Sequence, residues 1–240
     1  MSLSEGKTHR CIQCGRPAQE LYHDYQADVI KIAHCEHCQG VVDKYIEFDP
    51  VVILLDAFLL KRQAFRHVLY NTDIQSHWKL TLVFLLCDAY TKLFRSKGAV
   101  SEKLKPDYVF YSALEWDLYV MFFIATAEMT ICVVTMYALV CLVSKLLKHS
   151  TVSFREVLRG TLLSNFGKLL VVPAILWGQS DSLLYLWLTK TFVLGANVQA
   201  VRVVCQLGPF LSFVSVSLAH LLQLLAADWL HSRCSTSGIG

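Results

Sequence analysis

The chain has 240 residues, of which 55% are hydrophobic and 17% charged, and its mean hydropathy is +0.45. Soluble domains carry about a quarter charged residues, so the apolar excess points to lipid rather than to a larger water-soluble core. The net charge of +3 comes with no basic block and no aromatic–basic stripe, which disfavours nucleic acid as a partner.

Polarity is unevenly spread. Residues 1–49 hold four of the nine cysteines and read as polar, whereas 118–230 are nearly all apolar. Residues 1–10 are polar and no apolar segment follows them. Insertion is therefore expected to rely on an internal helix, with the first 50 residues left in the cytosol.

Cys11-Ile12-Gln13-Cys14-Gly15 is followed by Cys35-Glu36-His37-Cys38-Gln39-Gly40, with 20 residues between Cys14 and Cys35. A two-residue gap lets both thiolates of a turn face one ion, and zinc accepts four thiolates tetrahedrally. Gly15 and Gly40 are expected to relax the backbone after each turn, so that its N–H groups approach sulfur. Between the pairs, 21–25 and 29–33 read as short strands joined by a turn at 24–28, which makes a zinc ribbon. Some 40 residues bury too little core to fold alone, so the metal supplies the stability. Two disulfides would use the same cysteines, but cytosolic thiols stay reduced. His34 and His37 read as bystanders because four cysteines already fill the shell. A filled shell leaves no position for water, so the zinc reads as structural. Cys87, Cys132, Cys141, Cys205 and Cys234 show no paired spacing.

Asp49-Pro50 starts a helix, with a capping acid and then proline at the first turn. The apolar period continues to about residue 70. Val51, Leu54, Leu55, Phe58, Phe65 and Leu69 share one face, and Asp56, Gln63 and His67 the other. Such a helix lies in a membrane interface or against other helices rather than spanning. A helical stretch at 74–94 holds His77, Lys79 and Asp88 and is marginal as a span, for which about 20 apolar residues are needed. Residues 95–107 read as a linker.

Residues 118–143 carry one charge, Glu128, and make the clearest span. Further spans are expected at 157–177, 182–204 and 207–230. The short connections at 178–181 and 206–209 make hairpins. Charge in hydrocarbon is costly, and Glu128 and Lys168 sit near the middle of neighbouring spans. They are expected to pair or to share a polar cavity. His220 reads as a hydrogen-bonded structural residue or a relay. Lysine and arginine counts tie across the first span and leave its orientation open.

The organisation is thus a zinc ribbon over 1–44, an interfacial helix over 45–73, and a marginal helix and linker over 74–117. An all-α membrane bundle of four helices over 118–230 and a tail over 231–240 complete it. The two C-x2-C pairs, Val42-Asp43-Lys44-Tyr45-Ile46-Glu47-Phe48-Asp49-Pro50 and the run from Leu59 to Asn71 resemble the Arv family (ACAT-related enzyme required for viability). The resemblance covers about 60 residues of the chain. It implies zinc on Cys11, Cys14, Cys35 and Cys38, and residence in the endoplasmic reticulum membrane. It also implies roles in sterol distribution, sphingolipid balance and glycosylphosphatidylinositol (GPI) anchor synthesis. Expected partners are then sterol and GPI precursors in the membrane, and GPI-synthesis enzymes. A lipid transferase would need a constellation of acid, base or nucleophile. Only Glu128 and His220 offer themselves, without companions. The expectation is a non-enzymatic lipid-homeostasis factor, with a zinc-ribbon adaptor for a lipid-synthesis enzyme as the alternative.

Overall fold

The structure is a computed structural model that describes residues 9–25, 29–72, 77–98, 108–146, 152–176 and 183–236. The expected turn at 24–28, the linker at 95–107, the connection at 178–181 and the tail at 231–240 fall wholly or partly outside them. The chain divides into two units, Met1–Gln75 and Ser76–Gly240.

Two small antiparallel ribbons begin the first unit. β1 (His9–Arg10) pairs with β2 (Pro17–Ala18), and β3 (Tyr22–Tyr25) pairs with β4 (Val29–Ile32) in the register Tyr22↔Ile32 to Tyr25↔Val29. β3 and β4 are the expected hairpin. The two-residue strands β1 and β2 are too short to carry a sequence period. Asp43 then accepts the Tyr45 N–H at 2.9 Å and starts a 3-10 turn, Lys44–Glu47. Asp49 accepts the Val51 N–H at 3.2 Å and starts α1 (Pro50–Phe58), with proline where its missing N–H costs nothing.

The single helix expected over 50–70 is two helices. α1 closes with the Leu60 N–H on the Ala57 carbonyl and the Lys61 N–H on the Asp56 carbonyl, both at 3.0 Å. Leu60 has φ +55°. This is a Schellman cap with leucine in the left-handed position that glycine usually fills. α2 (Arg62–Arg66) follows and runs on as a π-helical turn, His67–Asn71. No glycine or proline marks the reversal, so the apolar period concealed it.

The second unit is helical: α3 (His77–Gly98), α4 (Tyr108–Leu146), α5 (Phe154–Ser164), α6 (Val171–Leu176), α7 (Leu183–Cys205) and α8 (Pro209–Thr236). α4 packs on α3 and α8, and α7 packs on α5 and α8. α4 begins ahead of the expected span, and α8 continues into the expected tail. Among the described residues, two stretches are long and apolar enough to cross a membrane, Glu115–Leu146 in α4 and Pro209–Asp228 in α8. They contain most of the expected first and fourth spans, and α7 follows the third closely.

The second expected span is not one helix. A 3-10 segment, Asn165–Leu170, separates α5 from α6. The Thr161 carbonyl accepts Asn165 Nδ2 at 2.6 Å and Ser164 Oγ at 3.0 Å, so side chains compete for an acceptor of the helix ladder. Gly167 lets Phe192 of α7 approach, since a Cβ there would lie 2.5 Å from the ring. Apolar composition at 157–177 does not reveal either effect.

Candidate metal centre

Each C-x2-C pair folds into the same knuckle. The carbonyl of its first cysteine accepts the N–H four residues on: Gly15 to Cys11 at 2.9 Å, and Gln39 to Cys35 at 2.8 Å. The N–H of that cysteine donates to the carbonyl five residues on: Cys11 to Arg16 at 2.9 Å, and Cys35 to Gly40 at 2.8 Å. The fourth following residue is left-handed in both, Gly15 at φ +80° and Gln39 at φ +59°. Gly40, expected to supply that freedom, stands one place too late. Its lack of a side chain instead admits Gln13, whose Oε1 would lie 3.0 Å from a Cβ.

The two knuckles face each other. Cys11 Sγ lies 3.7 Å from Cys38 Sγ, and Cys14 Sγ lies 3.7 Å from Cys35 Sγ. All four sulfurs fall within 4.8 Å of one another and can hold a metal ion. His34 and His37 are exposed and stand outside the group. Without a cation the thiols differ. Burial pushes Cys11 up to about 12, while the Cys38 backbone N–H leads in drawing Cys35 down to about 7. A bound cation favours the thiolate at every position.

The helices rest on the first knuckle. Ile12, between the ligands Cys11 and Cys14, is buried with Tyr45 and Ala64, and Ile53 and Ala57 of α1 pack against them. Arg66 of α2 donates through Nη1 to the Ile12 carbonyl at 2.9 Å and to the Gln13 carbonyl at 2.6 Å. Asp43, fully buried, accepts the Tyr45 N–H, meets His67 Nδ1 at 2.7 Å and accepts Asn71 Nδ2 at 2.6 Å. Asn71 also pairs with the backbone of Arg10 in both directions at 2.9 Å. Tyr45 Oη donates to Asp56 at 2.8 Å, and Lys61 Nζ donates to Asp56 at 2.7 Å. The Lys61 ammonium and the Tyr45 hydroxyl hold the Asp56 carboxyl below the usual carboxylate range. Burial, with the facing Asp56 carboxylate, raises the Tyr45 phenol.

These contacts invert part of the expected interfacial face. Asp56 and His67, placed on the outer polar side, are buried in the polar network. Phe65 and Leu69, on the expected apolar face, are buried within the unit, as the expected alternative of packing against other helices allows. The reversal at Leu60 resets the helical phase, so residues before and after it no longer share a face. Val51, Leu54 and Leu55 remain outside with Val52 and Leu59, between 39% and 68% exposed, and Phe58 is half-buried. Arg66, Asp43 and Asn71 were not singled out as linking residues. The only sequence signal is Asp43 before a turn, which reads as a cap.

In the second unit, Glu128 and Lys168 do not pair with each other. Glu128 of α4 meets Lys92 Nζ of α3 at 2.7 Å, and Lys168 Nζ meets Asp88 of α3 at 3.1 Å. Lys92 and Asp88 approach to 3.6 Å. The expected pair is thus a chain of two cations and two anions, closed through a helix whose charges made it look marginal. His220 Nδ1 lies 3.2 Å from Gln223 Oε1 within its own helix.

The chain matches the model of the Arv1-like family over residues 10–201. It is 43% identical over 222 residues to Protein ARV1 of Mus musculus, covering 92% of this chain and 83% of that one. Against Protein ARV1 of Bos taurus it is 42% identical over 208 residues, covering 87% and 73%. Against that of Homo sapiens it is 40% identical over 224 residues, covering 93% and 82%. No solved structure matches it.

Proposed function

The chain belongs to the Arv1-like family, and from that premise we propose that it is a non-enzymatic factor of the endoplasmic reticulum membrane. In this reading it acts in sterol homeostasis and intracellular sterol distribution and contributes to GPI-anchor synthesis, either by handling lipid or by holding the enzymes that do. The family fits a lipid-homeostasis role. The membrane setting is supported by the two membrane-length helices. We read the bundle as multi-pass, with α7 as a further span, and the metal unit as cytosolic.

The observation that carries the reading is the exposed ridge of α1. Val51, Val52, Leu54, Leu55 and Leu59 stay in solvent, whereas Ala64, Phe65 and Leu69 after the reversal are buried. Asp56, the only charge in α1, is turned inward and paired. An apolar ridge of this kind suits the interface of a bilayer. Among the described residues, the cavity lined by Val157, Gly160, Thr161, Ala200 and Val204 is about 10 Å³, room for little more than a water molecule and far below the roughly 300–1,000 Å³ of small-molecule sites.

We take the metal to be zinc and structural. Four thiolates at the observed spacing match a tetrahedron with zinc–sulfur bonds of about 2.3 Å, whose edges are about 3.8 Å. Such a centre supplies folding energy and leaves no position for substrate.

Purification of the full chain in mild detergent, with mass spectrometry of what accompanies it, tests the proposal. Co-purifying sterol or a GPI intermediate supports handling, and a stoichiometric GPI-synthesis enzyme supports scaffolding. Neither lipid nor enzyme above a control membrane protein would contradict both.

A further inference from the structure

The core around the knuckles is made largely of the ligands themselves. Cys11, Cys35, Ala33 and Val42 are its buried members, with Cys14, Ala18 and Leu21 against them. Removing the metal therefore leaves little apolar surface to keep the knuckles closed. The apolar bridge from the first core to the second is Ile12. Ile12 sits between two ligands, its N–H donates to the Val42 carbonyl at 2.9 Å, and its side chain fills the space beneath α1 and α2. Arg66 adds a polar link, because its two acceptors are the carbonyls of the residues between Cys11 and Cys14. Opening the first knuckle removes that apolar anchor and both Arg66 acceptors, and leaves the helix pair on the polar contacts of Asp43, Tyr45 and Asn71 alone.

We infer that metal occupancy of the four-cysteine site controls presentation of the α1 ridge to a bilayer surface, with Ile12 and Arg66 as the positioning residues between the two. The inference rests on the membrane-surface reading of α1 proposed above. The bilayer is the partner that the surroundings favour. The exposed Arg62 lies three residues beyond the end of the ridge, where its charge complements anionic headgroups. Among the described residues, two helices of the same chain are long and apolar enough to cross a membrane, which favours a bilayer as the partner. Nine residues of α1 alone are too few to hold a stable helix in water. Once released from Ile12 and Arg66, the ridge loses its fixed geometry.

The test uses the full chain in liposomes of neutral and anionic phospholipid. A nitroxide is attached at Leu55 through a genetically encoded ketone side chain, which leaves every cysteine native. Collision with oxygen reports lipid immersion, and collision with chromium oxalate reports water. In metal-loaded protein, oxygen collisions should dominate. After a membrane-permeant chelator the balance should reverse, and it should recover when zinc is restored. A probe that stays immersed without metal would overturn the inference while leaving the surface reading intact. A probe that is aqueous in both states would contradict the surface reading and the inference with it. Arg66→Ala should keep one equivalent of metal yet shift the probe toward water. Full immersion in that variant would remove Arg66 from the link.

Discussion

Leu60 and Gln39 hold left-handed backbone, at φ +55° and +59°, which costs a residue with a Cβ about 1 kcal/mol or more. Leu60→Gly and Gln39→Gly should each raise stability by about 1 kcal/mol, offset in part by glycine's extra freedom in the unfolded chain. The midpoint of chelator-induced unfolding, followed by fluorescence, reads this directly. Gly15→Ala should act in the opposite sense. Its φ is +80°, and a Cβ would lie 3.0 Å from the Arg66 guanidinium. Asp56 makes stability depend on pH. Its native carboxyl is held below the ordinary range by Lys61 and Tyr45, so its contribution is complete above the unfolded value near pH 4. It fades as pH falls through the native value. Asp56→Asn should be less stable than the parent at neutral pH, and the gap should close in acid. An equal gap at all pH values would mean that the carboxylate charge is not what matters.

The helices of the second unit are joined by charge as well as by packing. Lys92 and Glu128 are both mostly buried, at 19% and 10% side-chain exposure. Removing one leaves an uncompensated charge, at a cost of about 3 kcal/mol, whereas replacing both with apolar residues should cost much less. Lys92→Met and Glu128→Leu should each lower thermal stability in detergent more than the double variant does. Additive losses would show that the two groups are not coupled. Gly167→Ala should also destabilise, by about 1–3 kcal/mol, because Phe192 occupies the space a Cβ needs. These features mark what the sequence could and could not disclose. The start of α1 was legible in Asp49-Pro50, because capping is local chemistry. Its end was not, because the Schellman turn uses leucine. Asp56 and His67 read as solvent-facing only while the helix was taken as unbroken. Glu128 was recognised as needing a partner, but Lys92 lay in a segment whose charges argued against a place beside it.

The molecule joins a small unit with a four-cysteine group that can hold a metal ion to a helical unit with two membrane-length helices among the described residues. Cys11, Cys14, Cys35 and Cys38 were readable because ligand spacing is itself geometry, and the four sulfurs do converge. Membership of the Arv1-like family was readable from the same region with the stretch that follows it. The number of spans was less legible, since apolar composition does not distinguish α7 from the broken α5–α6 segment. The resting of α1 and α2 on the first knuckle was not legible at all, because Ile12 and Arg66 are ordinary residues until the fold brings them together. We propose that a four-thiolate zinc centre holds this unit in shape. The most direct measurement is metal analysis of the full chain, purified reduced and without chelators. One equivalent of zinc per chain is expected, lost on Cys→Ser substitution at any of the four positions. Less than half an equivalent in the unaltered protein would contradict it.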